Sequence, residues 1–371
     1  MPLYLTEDQA MLRDTARDFI ASEGAIATQL RKWRDMHCKD GFGHALWKQF
    51  AELGFTGILV DEGDGGLGLG HVEAGLVLEE IGRNLTPSPF LITSVAVVEA
   101  LRGTKLRERW LPGILSGDTV AALAVDEGPK HRPEAIAMTA ERSGNGFKLT
   151  GRKQFVVQGA SADFFVVAAR AGEGLTLFAI DKGASGLDVE GVRLADSSIG
   201  ARLDFNGVEV DADAVIGEVG GGETVLKRVL NAGRAGAAAE MVGVASGAMT
   251  MTVDYLKQRK QFGRLIGEFQ ALQHRAAHLY SELEIARAAA LKAQQLLDDR
   301  SEKAELMVHV AKAKAGRVST LAVQEGVQMH GGIGMTDEYD IGLYMKRDRV
   351  LNELFGDANY HADQVARMNG Y

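Results

Sequence analysis

The sequence predicts an α+β protein with an N-terminal helical domain, a central β-barrel-like domain and a C-terminal helical bundle. Two changes of pattern along the chain carry this prediction. Apolar residues recur at helical spacing to about residue 117, short β-rich segments run to about residue 219, and long Ala- and Leu-rich segments follow. Because helices and strands are segregated rather than alternating, layered α+β packing is expected. We place the domains at residues 1–118, 119–220 and 221–371.

The N-terminal domain has recognisable helix signals. Thr6 and Gln9 form a capping-box pattern, which predicts a helix starting just after Thr6. The segments GHALWKQFAELG, VEAGLVLEEIG and FLITSVAVVEAL have helical spacing, and glycine closes the first two. This domain is therefore expected to be helical throughout.

The two later domains differ from each other in residue type. FKLTGRKQFVVQG, ADFFVVAAR, LTLFAID and RLDFNGVEV are rich in β-branched and aromatic residues and are predicted as strands. The segments beginning VDYLKQRKQ, QALQHRAAH and AELMVHVAK are predicted as long helices.

Composition excludes several classes of protein. The net charge of −9 opposes nucleic acid as the main ligand, although a local basic pocket could still hold a small anion. Cys38 is the single cysteine, so no intrachain disulfide is expected, as is typical of a reducing compartment. The first residues do not resemble a signal peptide, and no apolar run reaches membrane-spanning length. We expect a soluble cytoplasmic protein that binds neither nucleic acid nor membrane.

A glycine-rich segment suggests an alternative function. Residues 63–68 read GDGGLG and fit the G-x-G-x-x-G pattern of a dinucleotide-binding loop, with Glu79 and Glu80 near the place of a ribose-binding acid. This is the basis for considering an NAD-dependent oxidoreductase. However, the preceding apolar run ILVD is short, and no later strand–helix alternation supplies a parallel sheet. We interpret the segment as a surface loop between helices.

One acid lies in a run of small residues. Residues 231–249 read NAGRAGAAAEMVGVASGAM, in which Glu240 is the carboxylate and Arg234 the cation. A buried, unpaired carboxylate is costly. Glu240 therefore needs a catalytic function or an ion pair with Arg234 or another cation of the bundle, and the two could coexist.

Two further segments combine polar side chains with glycine. The first, YLKQRKQFGRLIGEFQALQ, groups cations at a helix end with glutamines, and these could cap the helix or contact a diphosphate and its ribose. The second, QEGVQMHGGIG, ends a long helix with glycines that allow close approach of a ligand. His330 precedes these glycines and could bind a cofactor or cap the helix. His274 and His278 have the spacing of metal ligands, but packing explains them better and no metal is expected.

These segments resemble the acyl-CoA dehydrogenase family. The resemblance rests on R-x-Q-F-G followed by F-Q, and on Q-x-x-G-G-x-G about sixty residues later. PSPFLITS, GRKQFVVQGASADFFVVAAR and EYDIGLYMKRD stand in the family's order, so the resemblance covers the whole chain. Within the family, AAEMVG and MHGGIGMTDEY are most similar to the branch with the pimeloyl-CoA dehydrogenase small subunit and bacterial steroid side-chain enzymes.

The resemblance implies a reaction, a cofactor and partners. Family members convert acyl-CoA to 2,3-enoyl-CoA, with a base taking the α-proton and FAD taking the β-hydride. An electron-transfer flavoprotein is the implied acceptor, and the implied assembly is a homo- or hetero-oligomer, usually a tetramer of two dimers. The substrate contacts implied are Arg234, near the thioester, and Gly356. The contacts implied to the FAD of a neighbouring subunit are Arg259, Gln261, Phe262, Gln328, Gly331 and Gly332, and Gln270 falls at another FAD contact of the family.

The flavin-ring side departs from the family pattern. Where many members have Thr-Glu and Trp-x-Thr, this chain has Asp126-Glu127 and Phe155-Val156-Val157. The side-chain hydroxyls beside the flavin are therefore missing. Asp126, Phe155 and Val157 stay the candidate contacts, with backbone groups in place of the hydroxyls.

The positions of the catalytic base differ most from the family pattern. Many members have a glutamate where this chain has Gly356, and isovaleryl and long-chain members have one where it has Gly233. Three readings are open. Glu240, about two helical turns after Gly233 on the same face, is the base. Asp357 or another nearby group serves instead. Or the chain lacks a base and is the flavin-binding or structural subunit of a heteromer, or runs an atypical reaction.

Overall fold

The computed structural model describes residues 3–172 and 174–371. Helices come first, strands follow, and helices resume, which confirms the predicted α+β architecture. The helices are α1 (Glu7–Glu23), α2 (Lys32–Asp35), α3 (His44–Glu52), α4 (His71–Asn84), α5 (Val98–Leu101), α6 (Arg107–Leu115), α7 (Gly222–Gln258), α8 (Gln270–Asp298), α9 (Ala304–His330), α10 (Ile341–Glu353) and α11 (Ala358–Met368). Among the described residues, no helix is both long enough and apolar enough to span a bilayer.

The central part of the chain, residues 121–216, forms one mixed sheet. Its strands are β1 (Ala121–Ala124), β2 (Thr139–Ser143), β3 (Gly146–Val157), β4 (Phe164–Ala171), β5 (Gly174–Asp181), β6 (Leu187–Arg193), β7 (Ile199–Val210) and β8 (Val215–Ile216). The spatial order is β6-β7-β3-β2-β4-β5-β8, and β1 pairs in parallel with β4. The four predicted strands are confirmed as β3, β4, β5 and β7. A separate two-stranded sheet pairs β9 (Lys260–Gln261) with β10 (Arg264–Leu265).

The chain divides into two compact units, each built from separate stretches of sequence. One unit contains residues 1–31, 71–86 and 234–371, and the other contains residues 32–70 and 87–233. The first is helical apart from β9 and β10, and the second contains the eight-stranded sheet. The division into domains at residues 118 and 220 stays a prediction.

The capping box at the start of α1 is confirmed. The backbone N–H of Gln9 donates to Thr6 Oγ1 at 3.2 Å, and the N–H of Thr6 donates to Gln9 Oε1 at 3.1 Å. Each residue thus satisfies a donor that the first helical turn would leave unpaired. The side chain of Gln9 also donates to Glu73 of α4, which ties the two helices together.

Small residues let α4 and α7 touch backbone to backbone. A Cβ added to Gly82 would lie 2.1 Å from the carbonyl oxygen of Glu240, and one added to Gly243 would lie 1.9 Å from that of Glu79. Neither position can hold a larger residue unless the helices separate. Close helix packing therefore accounts for the small residues around Glu240.

The GDGGLG segment does not have the geometry of a dinucleotide-binding loop. A short 3-10 helix, Phe55–Gly57, rather than a strand, precedes it. Its N–H groups are already bonded: Gly66 donates to Asp61, Leu67 to Gly57, and Gly68 to Val60. They are not free for a pyrophosphate, which supports the interpretation as a structural loop.

Candidate functional site

The R-x-Q-F-G segment forms an exposed hairpin directly after α7. Its two turn residues, Phe262 and Gly263, have φ angles of +55° and +77°. Two successive positive φ values are typical of a type I′ turn, which glycine tolerates and phenylalanine resists. Despite this cost, the Phe262 ring is 92% exposed. Arg259, Gln261 and Gln270 are exposed beside it.

The Q-x-x-G-G-x-G segment ends α9. Gly331 has a φ of +65°, and a Cβ on Gly331 or Gly332 would meet no atom within 4 Å. Both glycines are exposed, as is Gln328. The segment therefore offers open backbone that a ligand can approach closely.

His330 brings the two segments together. Its ring stacks on Tyr255, one turn before the hairpin, with the ring centroids 4.5 Å apart. Nδ1 donates to the carbonyl of Gly326 at 2.7 Å, which leaves Nε2 as the acceptor in a neutral ring. Burial lowers the pKa of His330, which favours this neutral form. In the part of the chain described, Nε2 has no hydrogen-bond partner, although the side chain is buried.

The three residues expected beside the flavin ring lie in the unit that contains the large sheet. Phe155 has a φ of +52° and lies in a bulge of β3, where the register with β7 shifts between Lys153 and Val156. Val157 is buried. The carboxylate of Asp126 is bound by His131 Nδ1 at 2.9 Å. Phe155, Val156 and Val157 have no side-chain hydroxyl, so backbone groups of the bulge are the candidate polar contacts in this segment.

Glu127, the residue after Asp126, is also engaged. It accepts hydrogen bonds from the backbone N–H groups of Ala137 and Met138 and from the buried Lys153, whose Nζ lies 2.7 Å from Glu127 Oε1. Burial lowers the pKa of Lys153, and the Glu127 carboxylate opposes that shift. This pair holds the end of β1 against β3.

Glu240 is buried and held by an arginine. Its side chain is 2% exposed, and Oε1 accepts from Nε and Nη2 of Arg347 at 2.8 and 2.6 Å. The expected ion pair with a cation of the bundle is thus present, and the cation shown is Arg347 of α10. A proton taken up by Glu240 would weaken this pair, which opposes a role as base.

Arg234 lies at the turn that contains Gly356. Its Nε donates to the carbonyl of Phe355 at 3.4 Å and its Nη2 to the hydroxyl of Tyr360 at 3.3 Å. Gly356 has a φ of +103°, and a Cβ there would lie 2.4 Å from the Tyr360 ring. Tyr360 therefore fills the space that a side chain at position 356 would need. Lys312, behind the turn, donates to the Gly356 carbonyl.

Asp357 has a structural function in this arrangement. It is the N-cap of α11, where its Oδ1 accepts from the backbone N–H groups of Asn359 and Tyr360 at 3.0 and 2.8 Å. These two bonds satisfy donors that the first turn of α11 would leave unpaired. A carboxylate used in this way is poorly placed to take a proton from a substrate.

Sequence reasoning missed Arg347, Tyr360 and Lys312. Arg347 could have been found from helical spacing, since Tyr344, three residues earlier on α10, also points inward and donates to the carbonyl of Arg83. Tyr360 and Lys312 gave no comparable signal. In the described part of the chain, no cluster of three or more metal-ligating side chains is present.

Comparisons with known proteins agree with the motifs. Residues 6–118 match the N-terminal domain of acyl-CoA dehydrogenase, and residues 220–369 match the C-terminal domain. Cyclohex-1-ene-1-carbonyl-CoA dehydrogenase of Geobacter metallireducens is 30% identical over 98% of this chain and 97% of the relative. Subunit CarC of the caffeyl-CoA reductase–Etf complex of Acetobacterium woodii is 28% identical, over 99% of each chain.

A solved structure has the same fold along almost the whole chain. The Tcur3481–Tcur3483 steroid ACAD aligns with a TM-score of 0.90 and 29% identity, over 98% of each chain. Such coverage includes the helical regions and the central sheet. The chain belongs to the acyl-CoA dehydrogenase family, and its reaction is the FAD-dependent α,β-dehydrogenation of an acyl-CoA thioester.

Proposed function

We propose that this chain is a subunit of a heteromeric acyl-CoA dehydrogenase, that it holds FAD and part of the acyl-CoA, and that another subunit supplies the base. One observation carries the proposal: the buried carboxylate of Glu240 is bound by Arg347. The two positions where relatives have a glutamate are Gly233 and Gly356, and Asp357 is used as a helix cap. Neither usual position therefore has an acid, and both acids considered in their place, Glu240 and Asp357, already bind other groups of the chain.

FAD fits the exposed surface made by the two motif segments. Arg259 offers a cation for the diphosphate, and Gln261, Gln270 and Gln328 offer amides for the adenosine. Phe262 offers an exposed ring, Gly331 and Gly332 offer open backbone, and His330 Nε2 is a buried acceptor without a partner among the described residues. When bound, FAD supplies the acceptor for the β-hydride.

The flavin-ring and substrate contacts are assigned by position. Phe155 and Val157, with the backbone at Asp126, are our candidates for the flavin ring. Arg234 is our candidate for the thioester end of acyl-CoA, where its guanidinium orients the substrate and stabilises charge that develops on the carbonyl oxygen. Gly356 is our second candidate for a substrate contact, and its lack of a Cβ leaves room for the Tyr360 ring beside Arg234.

The relatives support an assembly with other proteins. The name of the steroid ACAD joins two designations, Tcur3481 and Tcur3483, and CarC is named as a subunit of a complex with Etf. We therefore propose an electron-transfer flavoprotein as acceptor, and an oligomer arranged as a tetramer of two dimers. A cytoplasmic location is part of the same proposal.

A catalytic Glu240 is the second candidate, because this carboxylate lies on the helix that also carries Gly233 and Arg234. Anaerobic flavin absorbance distinguishes the two candidates. The FAD-loaded chain alone is mixed with a panel of acyl-CoA thioesters, and Glu240→Gln is compared with Glu190→Gln, which removes a carboxylate from an exposed pair with Arg202. We expect no bleaching until a family member that retains a glutamate at either usual position is added. Rapid bleaching by the chain alone, lost in Glu240→Gln and kept in Glu190→Gln, would establish Glu240 as the base.

A further inference from the structure

Lys312 is a lysine without solvent contact. Its side chain is 0% exposed, and Nζ donates to the carbonyls of Leu351 at 2.9 Å and Gly356 at 3.1 Å. Over residues 3–172 and 174–371, Nζ makes no ion pair. Two acceptors match the two N–H groups of a neutral amine, whereas an ammonium has a third N–H that would be left without an acceptor.

The charges around Lys312 are mixed. Arg234 of α7 opposes a second positive charge, while Asp348 and Glu353 of α10 and Asp357 before α11 favour it. Asp348 is already engaged by the Thr320 hydroxyl and the Asn352 amide. Burial is the largest effect and, with Arg234, lowers the pKa of Lys312 to about 7. The amine therefore changes its charge within the physiological range.

A second buried titratable group lies nearby. His309, one turn before Lys312 on α9, pairs with His361 of α11 through their Nδ1 atoms at 2.8 Å. Its ring also faces that of Tyr360. Any pH effect assigned to Lys312 has to be separated from this pair.

Lys312 holds a turn whose backbone is unusual. Phe355 has a φ of +61°, which a residue other than glycine keeps only when the surrounding structure fixes it, and Gly356 follows with a φ of +103°. Lys312 binds the carbonyl of Leu351 in α10 and that of Gly356 in the turn, and Arg234 binds the Phe355 carbonyl. The turn therefore depends on two basic side chains that lie close enough to repel each other when both are charged.

We propose that Lys312 is a positioning residue of the acyl-CoA site: as a neutral amine it fixes the turn at Gly356, and its protonation weakens acyl-CoA binding. This rests on the proposed function, because Arg234 and Gly356 must contact the substrate. Protonation adds a donor without an acceptor and a charge facing Arg234, so that either the turn or the guanidinium must move. The neutral fraction of Lys312 then sets the binding-competent fraction of the protein.

The expected size of the effect follows from that fraction. If the neutral form alone binds tightly, the apparent Kd at pH 6 is about tenfold weaker than at pH 8. The FAD-loaded protein, with any subunit that copurifies, is titrated by calorimetry at both pH values. The probe is the tightest binder among acetyl-CoA, isovaleryl-CoA and cyclohex-1-ene-1-carbonyl-CoA.

Three variants separate charge from packing. Lys312→Gln keeps two neutral N–H donors, Lys312→Met keeps none, and Lys314→Met removes the neighbouring lysine that pairs with Glu282 at the surface. We expect the pH effect to vanish in both Lys312 variants and to persist in Lys314→Met, with binding at pH 8 weaker in Lys312→Met than in Lys312→Gln.

The outcomes that overturn the proposal do not depend on every variant folding. Equal affinity of the wild-type protein at pH 6 and pH 8 excludes it directly. A pH effect that survives in Lys312→Gln shows that Lys312 is not the group responsible and overturns the proposal. Failure of every thioester to bind at either pH would instead overturn the proposed function.

Discussion

Glu240 Oε1 lies 2.8 Å from Nε and 2.6 Å from Nη2 of Arg347, which joins α7 to α10 across 107 positions of sequence. The carboxylate is 2% exposed and the arginine 21% exposed. Removing one partner of a buried pair leaves the other charge uncompensated. This relationship gives Glu240 a structural contact between two helices, and the energetic contribution of that contact can be measured.

The first prediction concerns stability. Arg347→Met leaves the Glu240 charge buried and should lower the free energy of unfolding by about 3 kcal/mol. The double variant Glu240→Met/Arg347→Met should lose much less than the sum of the single variants, because no unpaired charge remains. Urea unfolding of the four proteins measures this coupling.

The control is Arg349→Met on the same helix. Arg349 pairs with Glu353, but its side chain is 72% exposed, so its loss should change stability by no more than about 0.5 kcal/mol. Additive losses at Glu240 and Arg347 would show that the two side chains act independently, contrary to the geometry.

The second prediction concerns the turn at Gly356. Gly356→Ala places a Cβ 2.4 Å from the Tyr360 ring and forces alanine to a φ of +103°, so we expect a loss of about 1–3 kcal/mol. In a Tyr360→Ala background, adding Gly356→Ala should cost less than it does in the wild-type protein. The steric clash with the ring is then absent, and only the backbone strain remains. Thermal unfolding compares them.

Gly342→Ala is the matched control, since Gly342 lies in α10 and a Cβ there meets no atom within 4 Å. We expect it to stabilise the protein by up to about 1 kcal/mol, through higher helix propensity. If Gly356→Ala were as neutral as this control, Tyr360 would not fill the space at position 356.

Local signals in the sequence predicted local structure well. The capping box at Thr6, four of the strands and both motif segments were found because each depends on neighbouring residues. Strand β1, AALA, was missed because a short and fully buried apolar run has no alternation that marks it as a strand.

Contacts between distant residues could not be predicted in the same way. Lys312 and Lys314 stand in one AKAKAG repeat, yet the first is fully buried and the second pairs with Glu282 at the surface. The helix–helix packing that separates them is set by residues far along the chain. The choice of Arg347 as partner for Glu240 depends on the same packing.

The third prediction concerns FAD. Phe262→Asn suits the positive φ of the turn better than phenylalanine, so the hairpin should form at least as well, but the exposed ring is lost. If the ring stacks on the adenine, FAD should bind about tenfold more weakly. Flavin retained after gel filtration, together with the oligomeric state, measures this.

Met11→Gln, which removes an exposed apolar side chain from α1, controls for surface effects and should retain FAD fully. If Phe262→Asn and Met11→Gln retain equal amounts of flavin, the Phe262 ring does not contribute to cofactor binding. Gly263→Ala tests the turn itself, because a Cβ there meets no atom within 4 Å and only backbone strain at a φ of +77° opposes it.

The fourth prediction is a pH dependence of stability that originates at Lys312. Its pKa falls from the ordinary lysine value of 10.5 to about 7 on folding, so between these values the unfolded chain binds a proton that the folded chain lacks. Stability contributed at this site therefore rises with pH through that window and is lost as pH falls towards 7. The melting temperature of the wild-type protein, relative to Lys312→Met, should be higher at pH 9 than at pH 6.5.

Lys314→Met, measured in parallel, controls for the loss of a lysine from α9 and should keep the wild-type dependence. A constant difference between the wild-type protein and Lys312→Met from pH 6.5 to 9 would mean that the buried amine does not change its charge there. Because this measurement needs neither FAD nor acyl-CoA, it tests the titration of Lys312 independently of any role in substrate binding. If the melting temperature shows the expected pH dependence and acyl-CoA binding shows none, Lys312 affects folding stability and not substrate binding.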